Sequence, residues 1–119
     1  MIVLVCGGRD YEDWAAVEAV LRIFDPRKTS LIHGGCPTGA DHIANDIAND
    51  QGWRSIYIFS ADWDKYGRAA GPKRNKQMLV EGNPDIVVAF PGGAGTNNMV
   101  VQALKAKVHV LRYEQNFRK

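Results

Sequence analysis

Apolar positions along the chain follow two alternating rhythms: short β-branched runs, and longer segments with a helical repeat. Ile2-Val3-Leu4-Val5 is too short for a helix and stops at Cys6-Gly7-Gly8-Arg9-Asp10, the pattern of a buried strand ending in a tight turn. Trp14, Val17, Leu21 and Phe24 then recur at helical spacing, predicting a helix from about Asp13 to Phe24 that Pro26 terminates. Ser30 to His33 reads as a second strand, followed by Gly34-Gly35-Cys36-Pro37-Thr38-Gly39. Ile43, Ala44, Ile47 and Ala48 mark the apolar face of a helix from Ala40 to about Gln51, with Gly52 as its stop. A third strand covers Ser55 to Phe59, and Ser60 to Gly71 is predicted to be the longest irregular stretch. Pro72 suits the first turn of a helix running to about Glu81, which Gly82-Asn83 ends. Asp85 to Phe90 is the most apolar strand and runs into Pro91-Gly92-Gly93-Ala94-Gly95-Thr96. A helix to about Lys105 and a last strand from Val108 to Tyr113 complete the pattern, and the polar tail beyond is expected to fray.

Strands alternating with helices imply right-handed βαβ crossovers and a parallel sheet covered on both faces. The expected fold class is therefore α/β, a Rossmann-like doubly wound three-layer sandwich on a five-stranded parallel sheet. The 119 residues, 45% of them hydrophobic, suit a single domain with a real core. Cys6 and Cys36 are too few to staple it, and no secretory signal or long apolar run is seen. A cytoplasmic protein with no membrane contact is the expectation. The formal charge of +2 is far from the balance of a dedicated nucleic-acid binder.

In doubly wound sheets ligands bind beyond the carboxyl ends of the strands. Here the first, second and fourth predicted strands all end in glycine pairs, so three turns are expected to converge on one rim. Pro91, Gly92, Gly93, Gly95 and Thr96 are the strongest candidates to hold a phosphate. Glycine admits close backbone approach, and the helix that follows directs free N–H groups and its positive dipole end into the same space. The structural alternative is a tight turn with Thr96 as N-cap. Gly34, Gly35, Thr38 and Asp41 form a second such turn, where Thr38 and Asp41 are either caps or contacts to phosphate and ribose. Cys36 at a helix start invites a nucleophile reading, but no partner base is evident in sequence. Gly7, Gly8 and Arg9 give a third close-approach turn and a cation for an anionic ligand. Arg74 and Asn75 open a helix where cations are electrostatically disfavoured, which suggests an anionic partner. Trp63 and Tyr66 are candidates to stack on a base or to cover the core. With no ligand cluster for a metal and no Walker-type ending, neither a metal nor another cofactor is expected.

Arg74, Met78 and the stretch from Asp85 to Thr96 resemble the LOG proteins, phosphoribohydrolases that cleave the N-glycosidic bond of nucleoside 5′-monophosphates. With Gly7 to Asp10, His33 to Asp41 and Tyr66 to Asn75 added, the chain looks like the YspA/cpYpsA-related branch of the wider SLOG superfamily. The resemblance implies the strand order 3-2-1-4-5. The LOG motif carries a catalytic glutamate three residues after its threonine, and that position here is Met99, preceded by Asn97 and Asn98. A glycosidic cleavage needs a carboxylate to activate water or stabilise a cationic centre. Arg74, with Asp41 or Asp62 standing in for the glutamate, would be the candidates for catalysis.

Three functions follow as expectations. The first is binding of a phosphorylated nucleotide-like ligand by a sensor or signalling domain, and the second is nucleotide N-glycosidic hydrolysis. The third is nucleic-acid binding, which the SLOG member DprA suggests and the small net charge disfavours. A homo-oligomer is expected because the last strand leaves an open sheet edge and LOG relatives dimerise.

Overall fold

The computed structural model describes residues 1–113. The tail beyond Tyr113, expected to fray, lies outside the described residues. Five strands, β1 (Ile2–Cys6), β2 (Ser30–His33), β3 (Ser55–Ile58), β4 (Ile86–Ala89) and β5 (His109–Arg112), form one parallel sheet in the order β3-β2-β1-β4-β5. This is the α/β Rossmann-like sandwich and strand order expected.

Successive side chains of a strand point to opposite faces, and β1 shows both faces at work. Val3 and Val5 enter one core layer with Leu31, Val88 and Phe90, closed by Val17 and Leu21 of α1 (Trp14–Leu21) and Ile43 and Ile47 of α2 (Gly39–Asp50). Leu4 and Cys6 enter the other with Ile32, Val87 and Ala89, closed by Met78 of α4 (Ala70–Gly82) and Met99 and Val100 of α5 (Ala94–Lys105). Burial on both sides explains why the strands read as continuous apolar runs rather than alternating ones.

Several boundaries differ from those the sequence suggests, each for a local reason. The first helix ends at Leu21 rather than near Phe24, and a single 3₁₀ turn, Pro26–Lys28, bridges to β2. Asp13 caps α1 by accepting from the Ala16 N–H at 3.0 Å. The stretch from Ser60 to Gly71 is not irregular. It contains a short helix, α3 (Trp63–Tyr66), a 3₁₀ turn (Gly67–Ala69) and the first two residues of α4. Asp62 caps α3 through the Lys65 N–H at 3.1 Å, and the chain then turns straight into α4, with Pro72 in its first turn where no donor is needed. Asn83 takes up the left-handed conformation that ends α4. The fourth helix of the doubly wound pattern starts earlier than expected, at Ala94, with Gly93 as its N-cap, so Thr96 lies inside the helix and does not cap it. No helix among the described residues is long and apolar enough to cross a membrane.

Candidate functional site

The strand order reverses between β1 and β4, and the pairing of Val5 with Val88 and Cys6 with Ala89 sets their exits side by side. The turns after β1, β2 and β4 therefore meet at one end of the sheet, around a cleft of about 1210 Å³. Gly7, Gly8, Arg9, Gly34, Gly35, Asp41, Arg74, Asn75, Pro91, Gly92, Gly93, Gly95 and Thr96 all line it. Of the candidate contacts that the sequence singles out, Thr38, Asp62 and Tyr66 are outside that lining. Thr38 precedes α2, but its hydroxyl donates to the Arg9 carbonyl at 2.8 Å instead of capping the helix. Asp62 serves as the cap of α3.

The glycines divide into two classes. Gly8, Gly39 and Gly92 make room for other backbone, and Gly7 makes room for the side chains of Ala40 and Phe90. A Cβ on Gly7 would lie 2.6 Å from that of Ala40, and one on Gly92 would lie 2.6 Å from the Gly8 nitrogen. The Gly8 N–H donates to the Pro91 carbonyl at 2.9 Å, while the Gly8 carbonyl accepts from Ala40 and Tyr11. These turns are thus locked to each other, which already accounts for glycine at those positions. Gly93 and Gly95 differ, because a Cβ on either would meet nothing within 4 Å. They face the open cleft.

At the start of α5 the first intrahelical bond is Asn97 N–H to the Gly93 carbonyl, at 3.0 Å. The N–H groups of Gly93, Ala94, Gly95 and Thr96 come before it and donate to no acceptor among the described residues. Four such amides and the positive end of a 12-residue helix suit an anion. Thr96 is buried, its hydroxyl pressed against Gly92.

A chain of hydrogen bonds runs from the β2 turn to the β4 turn. Arg74 Nη1 donates to the Gly34 carbonyl at 2.8 Å, and Arg74 Nε donates to Asn75 Oδ1 at 3.1 Å. Asn75, almost fully buried, passes the connection on: its Nδ2 donates to the Gly95 carbonyl at 3.2 Å and to Asn98 Oδ1 at 3.1 Å. Gln102 reaches the same Asn98 oxygen at 2.7 Å and the Pro72 carbonyl at 3.1 Å. Asn75 therefore acts as a connector between Arg74 and the α5 turn. Asn98 and Gln102 escape a reading of the sequence for ligand contacts. Their signal is the polar pair Asn97-Asn98 at the head of an otherwise apolar helix.

Asp41 lies under the β2 turn, with Oδ2 accepting from the N–H groups of Gly34 (3.2 Å) and Cys36 (3.3 Å). Burial pushes its carboxyl above the usual carboxylate range, opposed by the Cys36 amide, Arg74 and the Gly34 amide. His33 is fully engaged. Its Nδ1 accepts from the Gly35 N–H at 3.0 Å, so Nε2 carries the proton that Asn45 Oδ1 receives at 2.9 Å. It offers no base to Cys36, whose thiol is in hydrogen-bond contact with the Thr38 hydroxyl at 4.0 Å. Cys6, at the root of the cleft, is pushed up to about 12 by burial and by Asp41.

Arg9, Arg68 and Arg74 line the cleft together with Asp10 and Asp41, and none of the three arginines forms a salt bridge among the described residues. The cleft is therefore cationic on balance. Met99, at the position of the LOG glutamate, is fully buried in the core with Leu4 and Met78. Trp63 and Tyr66, which the sequence allows as core cover, are instead exposed, and Trp63 lines the cleft. No group of three or more metal-ligating side chains occurs among the described residues.

Comparison with known proteins bears on the fold and the family. The chain is 33% identical over 121 residues to the Gene 61 protein of Mycobacterium phage D29, covering 93% of this chain and 94% of that one. Its backbone is similar to a solved structure described as the Moco carrier protein of Chlamydomonas reinhardtii, with a TM-score of 0.66 and 20% identity over 93% of this chain and 74% of that one. At that identity the likeness speaks for the fold. The family model described as "YspA, cpYpsA-related SLOG family" matches residues 1–66, and with the strand order and the glycine turns in place, the chain belongs to that family.

Proposed function

We propose that this domain binds a phosphorylated, nucleotide-like ligand in the cleft at the carboxyl ends of β1, β2 and β4. The observation that carries the reading is the row of four uncommitted N–H groups from Gly93 to Thr96, opening onto the cleft beside two glycines with free space in front of them. A phosphate there accepts several backbone hydrogen bonds without displacing any protein acceptor. Arg74 supports it from the side: Nε and Nη1 are held by the protein, and Nη2 is left for an anion. Arg9 adds a second cation at the rim.

Binding, rather than hydrolysis, is what these residues support. The position of the LOG glutamate is filled by core Met99, Asp62 caps a helix, and Asp41 is occupied by two backbone amides. A solved relative in fold that is described as a carrier protein fits the same role. A homo-oligomer belongs to the proposal, because β3 and β5 are both open edges and Val101 and Leu104 stand exposed on α5. Light scattering tests that part.

The test of binding is a thermal-shift screen with nucleoside monophosphates, ADP-ribose, NAD and cyclic nucleotides. A ligand at 100 times its Kd adds about 2.7 kcal/mol, enough to raise Tm by several degrees. Chromatography of the same samples then reports whether the ligand returns intact, as binding requires, or as base and sugar phosphate. No shift with any of these ligands overturns the reading.

A further inference from the structure

The cleft is larger than a phosphate subsite alone, and one of its walls lies outside the glycine turns that offer their backbone amides. That wall is α3 with the 3₁₀ turn after it, which contribute Trp63 and Arg68 to the lining. Trp63 is 54% exposed, and among the described residues it is the one exposed large apolar side chain that lines the cleft. It is also held in place. A Cβ on buried Gly71 would lie 3.4 Å from Trp63 Cη2, so the indole rests on the start of α4, and the Asp62 cap fixes the helix that carries it. Tyr66, three residues on, does not line the cleft, and its ring already has the Lys65 and Lys73 ammonium groups over it at 5.1 and 4.8 Å. Among the described residues no cation or aromatic ring occupies the face of Trp63 in this way.

From this arrangement we infer that Trp63 is a stacking platform for a planar heteroaromatic ring, a nucleobase, of the ligand whose anionic end sits at the start of α5. The inference rests on the phosphate reading of the α5 turn and adds to it the class of the ligand's other end. Stacking on an indole tolerates any base, because every base has a π-face, and truncation of such a platform weakens binding by about 5- to 150-fold. Arg68 stands on the same wall, where a guanidinium plane extends a stacking surface.

The experiment compares AMP with ribose 5-phosphate by calorimetric titration of the wild-type chain, Trp63→Ala and Trp63→Phe. The two probes share the sugar phosphate and differ in the base. The wild type is expected to bind AMP at least about fivefold more tightly than ribose 5-phosphate. Trp63→Ala should bring AMP down to the ribose 5-phosphate value and leave ribose 5-phosphate unchanged, and Trp63→Phe should keep part of the difference. In the wild type AMP should also quench tryptophan emission, a signal that Trp63→Phe loses although Trp14 and Trp53 remain. Equal affinity of the wild type for the two probes overturns the platform but not the phosphate site. So does unchanged AMP binding in Trp63→Ala, or an equal loss for both probes. Failure of the wild type to bind either probe overturns both. The substituted side chain is exposed, so a loss of fold is not expected, and melting curves of each variant check it.

Discussion

Arg74 and Asp41 hold the two ends of a single residue: the guanidinium donates to the Gly34 carbonyl at 2.8 Å, and the carboxyl accepts from the Gly34 N–H at 3.2 Å. A side chain on Gly34 would run into both of them. The β2 turn is thus clamped between α2 and α4 before any ligand arrives, and one arginine serves both the clamp and the proposed anion site.

That double duty predicts the behaviour of Arg74→Ala. Hydrogen bonds to charged groups contribute about 1.5–3 kcal/mol, so the variant should melt several degrees below the wild type. Its affinity for a nucleoside monophosphate should fall by tenfold or more. Arg74→Lys should recover little of either, because an ammonium cannot reach Gly34 and Asn75 with separate nitrogens of one plane. Melting curves and titrations on the same preparations check both effects. Wild-type affinity in the alanine variant removes Arg74 from the site.

Asp41 gives stability a definite pH dependence. Its folded-state carboxyl titrates above the ordinary value of 3.8, so the native state holds the proton more tightly than the unfolded chain. The stabilisation is complete below the unfolded value and is lost as pH rises through the folded one. Asp41→Asn cannot titrate. The wild type should therefore gain stability relative to that variant as pH falls from neutrality to below about 4. Denaturant melts at several pH values measure the difference, and a wild-type advantage that shrinks on acidification contradicts the assignment.

Neighbouring glycines should respond in opposite ways. In Gly92→Ala the new methyl meets the Thr96 hydroxyl and the Gly8 amide, and overpacking of this kind costs about 1–3 kcal/mol. In Gly93→Val the side chain enters open space, so the loss of stability should be limited to about 1 kcal/mol, that of an apolar residue at the N-cap of α5, while phosphate-ligand binding is lost. Full affinity in a folded Gly93→Val protein refutes the placement of the phosphate at the α5 turn.

Much of this was legible in the sequence, and the residues show why. The strands are buried on both faces, so Ile2 to Val5 and Ile86 to Phe90 stand out as apolar runs, and turn glycines follow β1, β2 and β4. Convergence of those turns on one rim then follows from topology. What stayed hidden depends on contacts distant in sequence. The space in front of Gly93 and the backbone pressed on Gly92 cannot be told apart in a run of glycines. Asn75 gave one faint sign, its helical spacing from Met78 and Gly71 on the inward face of α4, but its partners lie 20 and 23 residues away. The segment from Ser60 to Gly71 looked irregular because a four-residue helix is too short to show a period.

The two cysteines should react at different rates. Cys6 is buried with its thiol pushed up to about 12, whereas Cys36 is partly exposed on the cleft wall. Iodoacetamide under native conditions should label Cys36 first, with Cys6 modified only on unfolding. A saturating nucleotide should slow the labelling of Cys36. Mass spectrometry of time points decides it, and equal labelling of both sites would show that Cys6 is not sealed in the core.

The interlocked turns also determine which parts of this domain are free to change. Because Gly8 is bonded to Pro91 and Ala40, and Gly92 is packed on Gly7 and Gly8, an alteration in any one of these loops disturbs the other two. The floor of the cleft is in effect one casting. The wall from Ser60 to Ala69 lies outside it, joined at its ends and capped by its own Asp62. If the proposed site holds, selectivity can be re-cut by exchanging that short wall as a cassette, with the floor that we propose holds the anion left as it is. A designer seeking a new ligand, like a lineage acquiring one, has about ten residues to rewrite rather than a fold.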